Sequence, residues 1–321
     1  MVGLWRVSAS VITVPMTDLD LQSISRSVIK LRAEIPENAF TAGILGSQRT
    51  GNGVVIDSAG LVLTIGYLMT EATDVWLTGS NGREIAAHPL AYDQVTGFGL
   101  VLPLQPMNLP ALSLGNSADL SSGSEVHVLS ASEFAAPQSA RVLARREFAG
   151  AWEYLLDDAI FAAPPHPHWS GAALIDDQGM LVGLGSLLVR EMIAGDEVNA
   201  NMFVPIDLLK PILHSLRTTG KADRHARPWL GVYAVEVAGK VYVSGVVEGG
   251  PAQYADIREG DVIAQVADQD ITNLPDFYRR IWAVGPAGTK IPLTTTRGAT
   301  QMHLNVRSVD RGDLLKRPQA H

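Results

Sequence analysis

Residues 51–64 read GNGVVIDSAGLVLT, two short β-type runs, GVVID and LVLT, separated by Ser, Ala and Gly. The same pattern recurs outward from about Thr41 to Leu216, in VWLTG, GLVLP, EVHVLS, ARVLA, ALIDD and MLVGLGSLLV. Many short strands at roughly 8–12 residue spacing, punctuated by Gly, Asn, Asp and Pro, argue for a sandwich or a barrel. Upstream, Leu21, Ile24, Val28 and Leu31 lie three or four apart within residues 18–34, which predicts one face of an amphipathic helix ended by Pro36. Downstream, IDLLKPILHSL at 206–216 predicts a closing helix, and the polar RTTGKADRHAR at 217–227 reads as a linker. The remaining stretch holds the β runs GVYAVEV, VYVSGVV, DVIAQV, KIPLTTT and QMHLNV with one helix around PDFYRRIWAV, a small α+β domain.

Composition narrows the function. The 321 residues suggest about two domains, and a 46% hydrophobic content is ample for packed cores. A net charge of -8 offers no basic face for phosphates, so nucleic acid is not an expected partner. With no cysteine, disulfides, thiolate nucleophiles and Cys-ligated metals are excluded. His166 and His168 offer only two neighbouring nitrogens, with neither H-E-x-x-H nor a carboxylate at ligand spacing, so no metal or other cofactor is expected. No run approaches the ~18–20 apolar residues of a membrane span. The first 18 residues, MVGLWRVSASVITVPMTD, lack a basic region and a long apolar core, which leads to an expected cytoplasmic location rather than a periplasmic one.

Three spaced motifs carry a resemblance. GNGVVIDSAGLVLT is similar to the HtrA/Deg signature G-S-G-V-I-I-D-x-x-G-x-I-L-T, which in that family leads into the catalytic His; Tyr67 occupies the His position here. DQVTGFGLV at 93–101 resembles D-x-x-T-D-L-A-V-L, with Gly97 where the triad Asp would stand. HWSGAAL at 168–174 resembles G-N-S-G-G-P-L around the nucleophile and keeps Ser170, Gly171 and Leu174. MFVPI at 202–206, WLGV at 229–232 and GGPAQYADIREGDVI at 249–263 add agreement, the last two with the family's PDZ domain. The resemblance implies a mainly β fold, a chymotrypsin-like double β-barrel followed by an α+β PDZ domain. The expected organisation is a segment at 1–39 with the amphipathic helix, a double barrel at 40–216, a linker at 217–227, a PDZ domain at 228–310 and a tail at 311–321.

The chemistry of the altered positions decides the functional expectation. A serine hydroxyl needs a neighbouring base, and the triad supplies His oriented by a buried carboxylate. A phenol titrating near ~10 is protonated at neutral pH, so Tyr67 cannot take that proton, and Gly97 has no side chain to orient anything. In subtilisin, losing the base alone costs about a million-fold in turnover. The oxyanion hole of this fold would use the N–H groups of Ser170 and His168, the latter standing where Gly is usual. The first reading is therefore a pseudoprotease that binds polypeptides or protein C-termini through its PDZ domain. A divergent serine endopeptidase using Ser170 with His166 or His168 as base remains open, as does an oligomeric scaffold, since relatives trimerise through N-terminal segments. Tyr67 and Trp169 are expected to fill the space the triad vacated.

For peptide binding, the resemblance places the carboxylate loop at Trp229, Leu230, Gly231 and Val232, with the strand from Tyr233 pairing with the peptide. The helix 275–284 forms the other wall. Phe277, Ile281 and Val284 read as its buried face, with Ile281 also counted among the peptide-binding residues; Tyr278 and Trp282 either line the groove or cover the sheet. Arg279 and Arg280 read as a solvated face.

Overall fold

The computed structural model describes residues 20–131, 136–193 and 196–316. The stretch at 51–64 folds as a hairpin. β1 (Val28–Glu34), β2 (Gln48–Val55), β3 (Val62–Ile65), β4 (Asp74–Thr78), β5 (Glu84–Tyr92) and β6 (Phe98–Pro103) close in the order β1-β2-β3-β6-β5-β4. Val54 faces Leu63 and Val55 faces Val62 across the β2–β3 pair, all four fully buried. The turn between them closes when Asp57 Oδ1 accepts the Leu61 N–H at 2.9 Å, with Gly60 at φ +85°, a conformation that favours glycine.

The amphipathic helix expected over 18–34 is corrected; its first two residues lie outside the described ones. Only α1 (Leu21–Ser25) is helical, capped by Asp20, whose side chain accepts the Ser23 N–H at 3.0 Å. Residues 28–34 are a strand instead, so the first barrel includes residues assigned above to an N-terminal segment. The reason is tertiary: Ile29, Leu31 and Ala33 alternate into the barrel, and β1 pairs with both β2 and β4. Ladder bonds to two neighbours outweigh a helical spacing that also satisfies a strand. Leu21 and Ile24 pack against the chain's own core.

The second barrel runs β10-β11-β12-β9-β8-β7. Its strands are β7 (Glu125–Leu129), β8 (Gln138–Gly150), β9 (Tyr154–Ala163), β10 (Ala173–Ile175), β11 (Leu181–Ile193) and β12 (Asp196–Pro205). Phe98 and Leu63 of the first barrel pack in one apolar cluster with Phe161 and Met202 of the second. α2 (Ala42–Leu45) lies in the β1–β2 connection. The closing helix is also corrected: a 3-10 turn at Ile206–Leu208 is separated from α3 (Leu213–Thr219). Pro211 lies between them, and proline removes an N–H donor and disfavours helix at the residue before it.

The C-terminal sheet, β13 (Val232–Val237), β14 (Lys240–Val246), β15 (Val262–Val266), β16 (Gln269–Asp270), β17 (Lys290–Arg297) and β18 (Thr300–Arg307), has the order β13-β14-β15-β17-β18, with β16 on β15. It carries α4 (Pro251–Tyr254) and α5 (Leu274–Val284). Asn273 caps α5 by accepting the Asp276 N–H at 2.8 Å, and Pro275 stands in the first turn where no donor is needed. Phe277, Tyr278 and Ile281 are fully buried, and Val284 is half-buried.

Candidate functional site

Immediately after β3 the chain makes a 3-10 turn at Gly66–Leu68, which presents Tyr67 to the second barrel. The buried Arg49 guanidinium fixes this turn by donating to the Tyr67 carbonyl at 2.7 Å and the Thr70 carbonyl at 3.2 Å. Tyr67 Oη lies 2.7 Å from Ser170 Oγ and donates its own proton to the Ser186 carbonyl at 2.8 Å. A phenol has one proton, so the Ser170 hydroxyl is the donor in the Ser170–Tyr67 pair. The acceptor is a neutral phenol oxygen: burial pushes the Tyr67 hydroxyl up to about 12, only partly offset by the Ser170 hydrogen bond. Such an oxygen holds the serine in place and does not deprotonate it.

Gly97, expected at the triad-Asp position, is closed off as well. Gly97 has φ +85°, and a Cβ there would meet Tyr154 Oη at 3.0 Å. That hydroxyl donates to the Thr96 carbonyl at 2.7 Å, and burial holds Tyr154 well above the usual phenol range.

Among the described residues neither histidine bonds to Ser170; the His166 N–H donates to Asn201 and the His168 N–H to His166. His166 is buried, and burial together with the nearby His168 lowers its imidazole below the ordinary range. Its Nδ1 accepts the His168 N–H at 3.0 Å, which fixes Nδ1 as an acceptor and engages one of the two N–H groups expected for an oxyanion hole. Trp169 is half-buried and lines the cleft beside Ser170, a cavity of about 810 Å³, rather than filling the core.

Asn52, buried between the barrels, is a positioning residue missed in the sequence. Its Nδ2 donates to the His168 and Ser170 carbonyls, each at 2.9 Å, and its Oδ1 accepts the Ala131 N–H at 2.8 Å. The only available signal was a polar side chain inside the run GNGVV.

The second candidate site lies at the start of β13. The N–H groups of Leu230, Gly231 and Val232 converge on the carboxylate of Glu153, at 3.1, 2.7 and 3.0 Å. Glu153 is in the β8–β9 turn, residues 151–153. On the free edge of β13, the Ala234 N–H donates to the Ala151 carbonyl at 2.9 Å. From α5, Tyr278 Oη donates to the Gly150 carbonyl at 2.8 Å and accepts the Glu153 N–H at 3.3 Å. Tyr278 is thus both buried in the α5 face and a wall of this groove. Trp282 stacks on Tyr278 with ring centroids 5.9 Å apart, and the Arg227 guanidinium covers the Trp282 ring at 3.8 Å. Trp229 packs edge-on against Phe40 of the first barrel, and Tyr233 is half-buried. Ile281 points into the domain core rather than into the groove. Arg279, expected in solvent, bridges to Glu147 and Asp157 of the second barrel, and Arg280 pairs with Asp276 at 2.8 Å.

The family described as a trypsin-like peptidase domain matches residues 51–184, and the PDZ domain family matches residues 228–307. Both domains, and their order along the chain, are those of HtrA/Deg-type proteins, to which the chain is similar. The chain is 24% identical over 273 residues to the "Probable periplasmic serine endoprotease DegP-like" of Hahella chejuensis, an alignment covering 81% of the chain and 57% of the relative. Its identity to the protein of the same description from Pseudomonas putida W619 is 26% over 281 residues, covering 81% and 56%. The chain therefore spans little more than half the length of the curated relatives it matches. Among solved structures, the HtrA-type protease AlgWS227A with tripeptide aligns with TM-score 0.56 at 20% identity, covering 93% of this chain and 98% of that one. The serine endoprotease from Yersinia pestis aligns with TM-score 0.52 at 19% identity, covering 90% and 97%. At these identities the structural likeness establishes the fold alone.

The cytoplasmic expectation is overturned by these relatives, which are named periplasmic serine endoproteases. The expectation rested on residues 1–18, which lie outside the described residues. Among the described residues no helix is long and apolar enough to cross a membrane.

Proposed function

We propose that this HtrA-type chain binds polypeptide C-termini through its PDZ domain and does not hydrolyse peptide bonds. The observation that carries the reading is the direction of the Ser170–Tyr67 hydrogen bond. The serine proton goes to a phenol that is itself anchored on the Ser186 carbonyl, so no group in the pair acts as a general base. Two further features support it. Gly97 cannot orient an imidazole, and the His168 N–H is engaged by His166 instead of facing a developing oxyanion. The residual rate of a triad stripped of its base is lower than that of an intact protease by about a million-fold, on the subtilisin measure.

Peptide capture follows from the loop geometry: three consecutive N–H groups at 230–232 already hold a carboxylate, the chemistry needed for a free chain end. The test is degradation of casein by the purified full chain with Ser170→Ala beside it, together with labelling of Ser170 by a fluorophosphonate. Neither protein is expected to degrade casein, and Ser170 is expected to stay unlabelled. Cleavage by the wild type that disappears in Ser170→Ala would instead establish a divergent serine endopeptidase.

A further inference from the structure

The peptide groove of the PDZ domain is filled by the chain itself. Its loop binds the Glu153 side-chain carboxylate, its edge strand β13 meets Ala151, and Tyr278 of α5 holds Gly150 and Glu153. These contacts occupy both recognition elements that a PDZ ligand uses, the carboxylate nest and the strand edge, from a single turn. The spacing is that of a ligand, with the carboxylate two residues beyond the strand-pairing carbonyl. Glu153 has φ +59°, a left-handed conformation unfavourable for a residue other than Gly or Asn. Backbone alone would select glycine there, so a glutamate persists because its carboxylate is held by the nest. The flanking residues continue the plug: Leu155 belongs to the PDZ core cluster, and Ala149 packs against it.

We propose that the β8–β9 turn is an internal ligand of the PDZ groove, so that a polypeptide C-terminus binds only by displacing Glu153 and Ala151. The inference rests on the peptide-binding reading above and adds that the site is occupied in cis. The partner class is a free chain terminus, because only a terminal carboxylate competes for all three N–H groups while its preceding residues take the β13 edge. Affinity in the wild type is reduced by the fraction of molecules in which the turn is out.

The experiment uses the full chain as wild type, Glu153→Gly and Tyr278→Phe. Glycine accepts φ +59° and removes the carboxylate without backbone strain. Tyr278→Phe keeps the buried ring and removes the hydroxyl that holds the turn, so it serves if Glu153→Gly does not fold. The probe is a fluorescein-labelled octapeptide pool with randomised last four residues and a free C-terminus, beside the same pool amidated. Amide exchange over residues 229–234 is followed in parallel.

Faster exchange at 230–232 is expected in Glu153→Gly, with at least about tenfold tighter binding of the free-carboxylate pool than in wild type, restored protection on binding, and no binding of the amidated pool. Tyr278→Phe is expected to shift both readouts in the same direction by a smaller factor. Unchanged exchange at 230–232 in both variants, or wild-type binding as tight as that of Glu153→Gly, overturns the internal-ligand inference. Exposed amides with no pool binding by any variant overturn the peptide-binding reading itself, and competition with it.

Discussion

At the scale of single residues, the side chains at the positions expected for a triad reinforce one another. Tyr67, expected at the base position, is an anchored phenol, and Tyr154 fills the space opposite Gly97. The double substitution Tyr67→His with Gly97→Asp is therefore expected to leave casein degradation at background. An Asp at 97 would need φ +85° and would press its Cβ to 3.0 Å from the Tyr154 hydroxyl. Recovery of proteolysis in that variant would show that the backbone at 97 readjusts freely. Glu153 makes a second residue-scale prediction. Burial pushes its carboxyl from 4.5 up to about 7, against the loop N–H groups and Arg311, which pull it down. Arg311, Tyr233 and Tyr278 face it, and Arg227, His225 and Asp310 line the same cavity. A raised carboxyl stabilises the fold fully below about pH 4.5, and that contribution is lost as pH rises to about 7. The stability of wild type relative to Glu153→Gln, from urea unfolding, is expected to fall across that window by up to roughly 3 kcal/mol. A difference flat with pH would mean that Glu153 titrates normally.

At the scale of elements, the loop carrying Ser170 is fastened to the first barrel by Asn52. Three hydrogen bonds at about 1 kcal/mol each lead to an expected loss of roughly 2–3 kcal/mol in Asn52→Ala, read as a lower urea midpoint with unchanged slope. A loss below about 0.5 kcal/mol would place the anchoring elsewhere. Elements also divide what was legible from what was not. The β2–β3 hairpin and α5 are local: apolar residues, turn glycine and cap all lie within one stretch, and each forms where the pattern predicts. Residues 18–34 carry apolar spacing compatible with a helix or a strand, and the choice falls to partners on β2 and β4 that lie far along the chain. Pro211 was in view and breaks the closing helix as its missing N–H requires.

For the whole molecule, the PDZ domain is tied to the barrels by contacts of unequal weight. The Glu153 turn and Leu155 are buried in the PDZ groove and core, whereas Arg279 reaches Glu147 and Asp157 through half-exposed pairs. Exposed pairs are worth about 0–1 kcal/mol, so Arg279→Ala is expected to move the melting temperature less than Glu153→Gly. Calorimetry of the wild type is expected to show one transition, and of Glu153→Gly two, as the PDZ domain melts apart from the barrels. Two separate transitions in the wild type would mean that the turn does not couple the domains.

The sequence by itself determined the barrel-plus-PDZ architecture, and it puts a phenol and a glycine where the resemblance expects the triad base and its carboxylate. Both are written in short motifs whose order survives, and a phenol or a glycine cannot supply a base whatever surrounds it. Only the tertiary structure decided where the proton of Ser170 goes, that His166 engages the His168 N–H, and that Glu153 takes the three N–H groups at 230–232. The last contact joins residues 77 to 79 positions apart, and nothing in AGAWEY distinguishes an ordinary hairpin end from a ligand. It exists because packing brings three unpaired N–H groups to a carboxylate, and in a buried site each must find a partner.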